Sequence, residues 1–220
     1  MDIEQLSLQR LTVIVDSKET PGLDFYDLHH GLFVSRGVIP HEWTVKESTM
    51  TPVYAQLIYE NGMTLFMDHE DFSVSQSQGL ELGGKAEAPG LASRVLLSMD
   101  REVAGKVYIN WNMRIPCRDS HSWLLNRFIS PGILLEDWLN AESRIRFLVD
   151  VDGLNLYMDL TSDQTTNDDD LQTDDIEVLC GVRHEFSDNG NELIAWLSEW
   201  RKHESVMLKA LHSLLGVSHD

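Results

Sequence analysis

The chain has 220 residues, with 17 Lys and Arg against 36 Asp and Glu, and therefore a formal net charge of −19 at pH 7. Its 42% apolar residues are enough to build a full core, which excludes fibrous, collagen-like and wholly disordered classes. The excess of acid disfavours direct binding to nucleic acid or anionic lipid, because such binding needs Lys and Arg to replace condensed counterions.

The compartment is predicted from the ends and the cysteines. Residues 1–5 are acidic where a secretory signal is basic and then apolar, and no apolar run approaches the ~18 residues of a membrane span. The two cysteines, Cys117 and Cys180, allow one disulfide at most, and a chain of this length does not need one. We therefore expect a cytoplasmic protein with two free thiols, no membrane contact and no cofactor.

Strand patterns and turns fill the first 90 residues. Short apolar runs bounded by turn residues predict strands at 11–15, 32–34, 53–59, 63–67 and 72–75, of which 32–34 is the weakest. Asn61-Gly62 separates two of these runs and predicts a hairpin closed by a type I′ turn. The glycine-rich stretch 76–90 has no apolar period and is interpreted as a loop.

The second half mixes helices with strands. Apolar periodicity predicts helices at 91–99 and 120–129 and strands at 107–115, 145–151, 154–160 and 176–182. Asp152-Gly153 predicts a second hairpin between two of these strands. After residue 189, apolar residues at helical spacing as far as Leu214 predict one continuous amphipathic helix of ~38 Å, with Glu204 interrupting its apolar stripe.

The order of these elements predicts an α+β fold. We expect one domain over residues 1–220, with a mainly antiparallel sheet built from hairpins, inserted helices and a long C-terminal amphipathic helix packed on one face. A two-part organisation is the alternative, with a β-rich part at 1–90 and an α+β part at 91–220. The hairpin segments 61–68 and 152–159 share a turn dipeptide followed by Leu, an aromatic residue, Met and Asp at the same offsets. The elements predicted after each hairpin do not match in order, so duplication and convergence both stay open.

Two features are candidates for binding a partner. Residues 163–177 carry seven acids and no base, among them Asp168, Asp169, Asp170, Asp174 and Asp175. Their spacing does not fit a calcium-binding EF-hand loop, which needs a glycine that no register supplies here. A solvated connection between strands is the simpler interpretation of this segment, and partner or weak cation binding is the functional one. The second candidate is Trp43, because an exposed aromatic side chain can anchor a partner, although core packing explains it more simply.

Catalytic and metal-binding candidates are weaker. Cys117 and His121 bring a thiol and an imidazole close together in sequence, as nucleophilic catalysis by cysteine requires. The simpler interpretation is that Cys117 ends a buried strand and that His121 lies in the first turn of a helix. His69 and Asp71 follow the first hairpin and are the first candidates for a metal site, but four polar residues in a row are typical of a turn. No sequence motif for metal, phosphate or nucleotide binding occurs.

The sequence therefore favours a non-enzymatic acidic protein that works by binding another protein, as an adaptor, chaperone, assembly factor or regulator. Its partner is expected to present a basic surface. One alternative is a decoy of nucleic acid that occupies a basic protein surface, and another is an enzyme that uses Cys117 and His121 or a His/Asp metal centre. Apolar residues off the main stripe of the terminal helix predict either a second buried face or a homodimer through that helix.

Overall fold

The computed structural model of the chain describes residues 6–16, 28–98, 105–117, 119–129, 144–163, 175–186 and 190–216. These residues form an α+β fold with one antiparallel sheet. The strands are β1 (Ser7–Asp16), β2 (Val45–Met50), β3 (Tyr54–Tyr59), β4 (Met63–Asp68), β5 (Asp71–Gln76), β6 (Gly105–Pro116), β7 (Arg144–Val151), β8 (Leu154–Asp163) and β9 (Asp175–Phe186). The helices are α1 (His30–Ser35), α2 (Ala88–Ser98), α3 (Ser120–Phe128), α4 (Gly190–Ser198) and α5 (Trp200–Leu215). No helix among the described residues is long and apolar enough to cross a membrane.

The strand order is the same on both sides of the sheet's centre. The full order is β2-β3-β4-β5-β1-β6-β9-β8-β7. Outward from the central pair of β1 and β6, one side runs β1-β5-β4-β3 and the other runs β6-β9-β8-β7, so first-half and second-half strands correspond in sequence order. The repeated residues of the two hairpins occupy matching places, because Met67 and Met158 are both buried and lie at the same offset from the turn in β4 and β8. The elements after each hairpin therefore do match in order, contrary to the sequence-based expectation.

The alternation of side chains along the strands places the core on one face of the sheet. In β6, Val107, Ile109 and Trp111 are fully buried, while the residues between them point to the other face. Helix α2 packs against β1 and β5, α3 against β8, and α5 against β8 and β9. The opposite face is covered by no helix within the described residues, and we call it the open face.

Two local predictions are wrong. Residues 32–34, predicted as a weak strand, lie in α1, where Phe33 is buried as a single anchor and the short apolar run has no strand partner. The first hairpin is not closed by a type I′ turn. Of its turn residues only Gly62 has a positive φ, 81°, and its N–H donates to the carbonyl of Tyr59 across a three-residue loop. The second hairpin has a type I′ turn, since Asp152 and Gly153 have φ of 53° and 76°.

The C-terminal region is helical and α5 packs on the sheet, but a single continuous helix is wrong. The helical path is interrupted at Glu199, which separates α4 from α5 and has φ −87° and ψ 10°. We call this interruption the bend; both helices contribute to the core, Leu197 from α4 and Met207 and Leu211 from α5. The helical spacing of apolar residues continues on both sides of Glu199, so the sequence pattern does not predict the interruption.

Candidate functional site

A shallow groove of about 880 Å³ lies at the β7 end of the sheet. Open-face side chains from four strands line it, namely Tyr108, Arg146, Leu148, Tyr157, Leu179 and Arg183. The groove is possible because strand alternation brings these residues to one face while their neighbours fill the core. Leu148 on β7 is 78% exposed, the highest exposure among the large apolar side chains of the described residues.

Tyr157 is held flat on the sheet by a glycine. Tyr157 on β8 lies opposite Gly181 on β9, and a Cβ atom at Gly181 would overlap the phenol ring. The Tyr157 hydroxyl donates to Oδ1 of Asn110 at 2.5 Å, across β9. Burial is the main cause that raises the pKa of Tyr157 to about 12, so its hydroxyl is neutral at physiological pH. This tyrosine therefore serves as a fixed aromatic surface in the groove.

Asp159 is a buried acid on β8, directly opposite Arg146 of the edge strand β7. It is 2% exposed and receives two hydrogen bonds from Arg146, Nε to Oδ1 at 2.6 Å and Nη2 to Oδ2 at 2.7 Å. Nη2 of Arg144 donates to the same Oδ2 at 2.5 Å. The hydrogen bonds from Arg146 are the main cause that lowers the pKa of Asp159, and those from Arg144 add to it. Both arginines are thereby fixed along β7 with more than half of each side chain still exposed.

Further charges of the open face are also paired within the chain. Arg183 donates to Glu185 on the same strand. Arg114 on β6 lies 3.4 Å from a carboxylate oxygen of Asp175 and 3.5 Å from one of Glu177. These arginines therefore each contact a carboxylate of the chain itself.

A second polar cluster surrounds the bend between α4 and α5. The ring of Trp196 is stacked between His184 and His203, at centroid distances of 5.4 and 4.4 Å. His203 is 3% exposed, and burial lowers its pKa. Glu204 is equally buried; one carboxylate oxygen accepts from the Gly83 N–H at 3.2 Å and the other has no hydrogen-bond partner. Burial raises the pKa of Glu204, which makes this cluster a source of pH-dependent stability.

Cys117 and His121, the predicted catalytic pair, lie on different elements. Cys117 directly follows β6, is half-buried and forms no disulfide. His121 is 3% exposed within α3, whose N-cap Asp119 accepts from the Ser122 N–H at 3.2 Å. Neither residue lines the groove. Cys180 is buried in β9, and burial raises the pKa of its thiol, which keeps it protonated.

The predicted partner-binding residues are not brought together. Trp43 is half-buried and packs edge-on against Tyr59, with ring centroids 5.2 Å apart. Asp175 begins β9 and is paired with Arg114. The other predicted residues of the acidic segment, Asp168, Asp169, Asp170 and Asp174, lie outside the described residues.

The predicted metal candidates lie at a tight turn. His69 is a residue of the connection between β4 and β5, and Asp71 begins β5. The turn is held by Asp68, whose Oδ1 accepts from the backbone N–H groups of Glu70 at 2.8 Å and Asp71 at 2.7 Å. In the part of the chain that the structure describes, no three His, Cys, Asp or Glu side chains are grouped so that they could hold a metal ion.

The residues that shape the groove were missed because the sequence offers only indirect signals for them. An isolated glycine within a strand, as at Gly181, indicates close approach of another group. Arginines that alternate with apolar residues, as in β7, indicate one charged face on an edge strand. Neither signal identifies Asp159 as the buried partner of the two arginines, because this contact depends on the register between β7 and β8.

Comparison with known protein families, with characterised proteins and with solved structures finds no match to this chain. Function must therefore follow from the physical properties of the surface itself, since a fold alone does not determine it. The groove offers an exposed leucine, two tyrosines and two arginines that contact carboxylates of the chain, a combination suited to contact with another molecule.

Proposed function

We propose that this is a non-enzymatic cytoplasmic protein that works by binding another protein in the groove of the open face. The observation that carries the proposal is the exposed Leu148 beside Tyr108 and Tyr157, on a surface whose arginines contact carboxylates of the chain. Tyrosine and arginine are enriched in protein interfaces, and tyrosine gives a large contact area at low entropic cost. A partner can cover the centre of the groove without burying an arginine that lacks a carboxylate partner.

The chemistry of the groove supports binding over catalysis. The Tyr157 hydroxyl is neutral and donates to Asn110, and Asp159 is occupied by two arginines. General acid–base catalysis needs a group whose pKa lies near the operating pH. These two groups are shifted away from neutrality in opposite directions, Tyr157 upward and Asp159 downward.

The net charge of −19 supports a partner with a basic surface. A field of this sign accelerates encounter with a cationic protein and slows encounter with an anionic one. Asp150 and Glu185 border the groove, and Asp150, which forms no ion pair with a described residue, would meet a base at the rim of the contact. The apolar centre then provides the short-range part of the binding energy.

Affinity capture from the native cell, followed by mass spectrometry, tests this proposal with two pairs of variants. Tyr108→Ala removes an aromatic side chain from the groove, and Glu185→Lys reverses an acidic charge at its border. Tyr54→Ala, on the open face of the first half, and Glu47→Lys, on the distant strand β2, are the matched controls. We expect one stoichiometric partner with the wild-type chain and with both controls, and its loss with both groove variants.

Two results would contradict the proposal. Recovery of no stoichiometric partner by the wild-type chain would shift the balance toward an enzyme. Retention of the partner by both groove variants would place the binding surface elsewhere on the chain. Circular dichroism of each variant establishes that the fold is intact before its capture result is interpreted.

A further inference from the structure

The edge strand β7 lacks the protection that the other edge of the sheet has. Among the described residues β7 pairs only with β8, in a register without a shift. It exposes Leu148 by 78% and Val149 by 38%. Strand β2, at the opposite edge, has a register shift between Val45 and Glu47. Natural edge strands are often protected by such bulges, so a long, regular edge with an exposed leucine at its centre indicates a pairing partner.

The type I′ turn fixes which backbone groups of β7 face outward. In a two-residue hairpin the residues that flank the turn, here Val151 and Leu154, exchange both hydrogen bonds. Because the pattern alternates, the N–H and C=O groups of Arg146, Leu148 and Asp150 point away from β8. These residues also point their side chains to the open face. The unpaired edge and the exposed leucine therefore belong to one continuous surface.

The sequence of β7 and its turn is complementary to itself in the antiparallel direction. Residues 144–152 read Arg-Ile-Arg-Phe-Leu-Val-Asp-Val-Asp, with two bases at one end, two acids at the other and Leu148 at the centre. If Leu148 lies opposite Leu148 of a second copy, Arg146 lies opposite Asp150 and Arg144 lies opposite Asp152. On the helix-covered face, Phe147 then lies opposite Val149. We propose that β7 pairs with β7 of a second copy of this chain, so that two sheets join into one across a two-fold axis at Leu148.

Other registers break this complementarity. A shift by two residues places Leu148 opposite Asp150 or opposite Arg146, which leaves a charge facing an apolar side chain. A shift by one residue would place an open-face residue opposite a helix-face residue. The central register forms about six main-chain hydrogen bonds between the copies and places opposite charges across the junction on both sides of the axis.

The charges needed for this pairing are available. Arg144 and Arg146 share the single carboxylate of Asp159, so the basic end of β7 keeps a net positive charge. Asp150 and Asp152 are exposed, and neither forms an ion pair with a described residue. The opposed ends of two strands therefore attract each other across the axis, and like-charged ends would repel in a parallel arrangement.

The first half of the chain shows the same edge with a strand already added. Strand β3 occupies the place that corresponds to β7, and β2 pairs along its outer side in the antiparallel direction. The corresponding side of β7 has no neighbour within the described residues. A second copy would supply a strand at this position, and the open faces of both copies would then lie side by side.

This inference does not depend on the proposed function, because it concerns the strand edge and a copy of the same chain. It is tested by sedimentation velocity at several concentrations with wild type, Asp150→Arg and the matched control Glu60→Arg. Glu60 is an exposed acid in the first hairpin and undergoes the same change of charge. We expect a dimer of twice the 25.1 kDa chain mass for wild type and control. For Asp150→Arg we expect the dissociation constant of the dimer to rise about tenfold or more. The reason is that the new arginine would face Arg146 of the other copy at two places in the pair of strands.

A cysteine cross-link tests the register. Leu148→Cys places two thiols at the axis, where opposed Cα atoms lie ~5.5 Å apart, within disulfide range. We expect rapid covalent dimers under mild oxidation, and slow or no cross-linking for Leu97→Cys, which changes an exposed leucine on α2. Wild type reports the background from Cys117 and Cys180.

Three results would overturn the inference. A strictly monomeric wild type would show that the edge is unpaired or is paired within the chain. A dimer that tolerates Asp150→Arg would use another surface, such as the terminal helix. Equal cross-linking of the two cysteine variants would exclude the axis at Leu148. None of these results depends on capture of a different protein, so failure here leaves the proposed function separately testable.

Discussion

The buried carboxylate of Glu204 predicts that removing its charge stabilises the protein. Glu204 is 3% exposed, and its one hydrogen bond comes from the Gly83 N–H at 3.2 Å. Burial raises its pKa, while that hydrogen bond and the nearby Arg201 partly offset the effect. The ionised side chain is therefore a cost to the folded state at neutral pH, and Glu204→Gln removes the charge but keeps an acceptor for Gly83.

The size and sign follow from linkage between proton binding and folding. Each pKa unit by which the folded state exceeds the unfolded state corresponds to about 1.4 kcal/mol. A buried polar group that lacks a partner costs about 1–3 kcal/mol, and more when it is charged. Glu204→Gln removes the charge but keeps one polar atom without a partner, so we expect it to raise the free energy of unfolding by about 1–2 kcal/mol at pH 8. Because the folded pKa is raised, the wild-type chain loses stability as pH rises through it. Below the unfolded pKa of ~4.3 the carboxyl is protonated in both states and the difference vanishes.

Urea unfolding of both proteins at pH 4.5, 6 and 8 measures this difference. Glu199→Gln is the matched control, because Glu199 lies one turn earlier with 57% of its side chain exposed. We expect the control to change stability by less than about 0.5 kcal/mol. The reasoning would be refuted if Glu204→Gln were no more stable than wild type at pH 8, or if its advantage were the same at pH 4.5 and pH 8.

Two further predictions concern the groove. Asp159→Asn should lower the free energy of unfolding by about 1–3 kcal/mol near pH 7, since two arginines lose a buried acceptor. Because the pKa of Asp159 is lowered in the folded state, this deficit should shrink as pH falls below ~4 and through the folded pKa. Urea titrations at several pH values measure this change, and a deficit independent of pH would contradict the explanation. Gly181→Ala should cost about 1–3 kcal/mol, because the added methyl group overlaps the Tyr157 ring. A double-mutant cycle checks the cause, since Gly181→Ala should cost less in a Tyr157→Ala background, and strict additivity would exclude the clash.

The sequence was informative where one physical rule determines local structure. Alternation along 107–115 predicted β6, and the pairing of apolar runs around Asp152-Gly153 predicted β7 and β8, because the buried face of a strand imposes a period of two. The rules failed where tertiary contacts decide the outcome. Phe33 is buried from a short helix that propensity alone does not favour, and the bend at Glu199 leaves helical spacing unchanged on both sides.

The candidate site was less predictable than the fold. The groove depends on side chains from β6 to β9 that are far apart in sequence, and their meeting is set by strand order. The regularities of single strands, such as the alternating arginines of β7, cannot show that Asp159 contacts both arginines or that Tyr157 covers Gly181. Pairwise register is a property of the sheet and not of any one strand.

The central position of β1 and β6 also affects how the chain is made. The first half is synthesised before β6, so β1 must wait with one edge unpaired until residues 105–116 emerge. At ~5–20 residues per second the chain between the end of β1 and the end of β6 takes roughly 5–20 s to synthesise, and an unpaired strand edge is prone to wrong pairing during that time. The pairing of β1 with β6 joins the two halves in the folded protein. For the same reason, the first half of the nascent chain cannot complete its pairing until the second half has been synthesised.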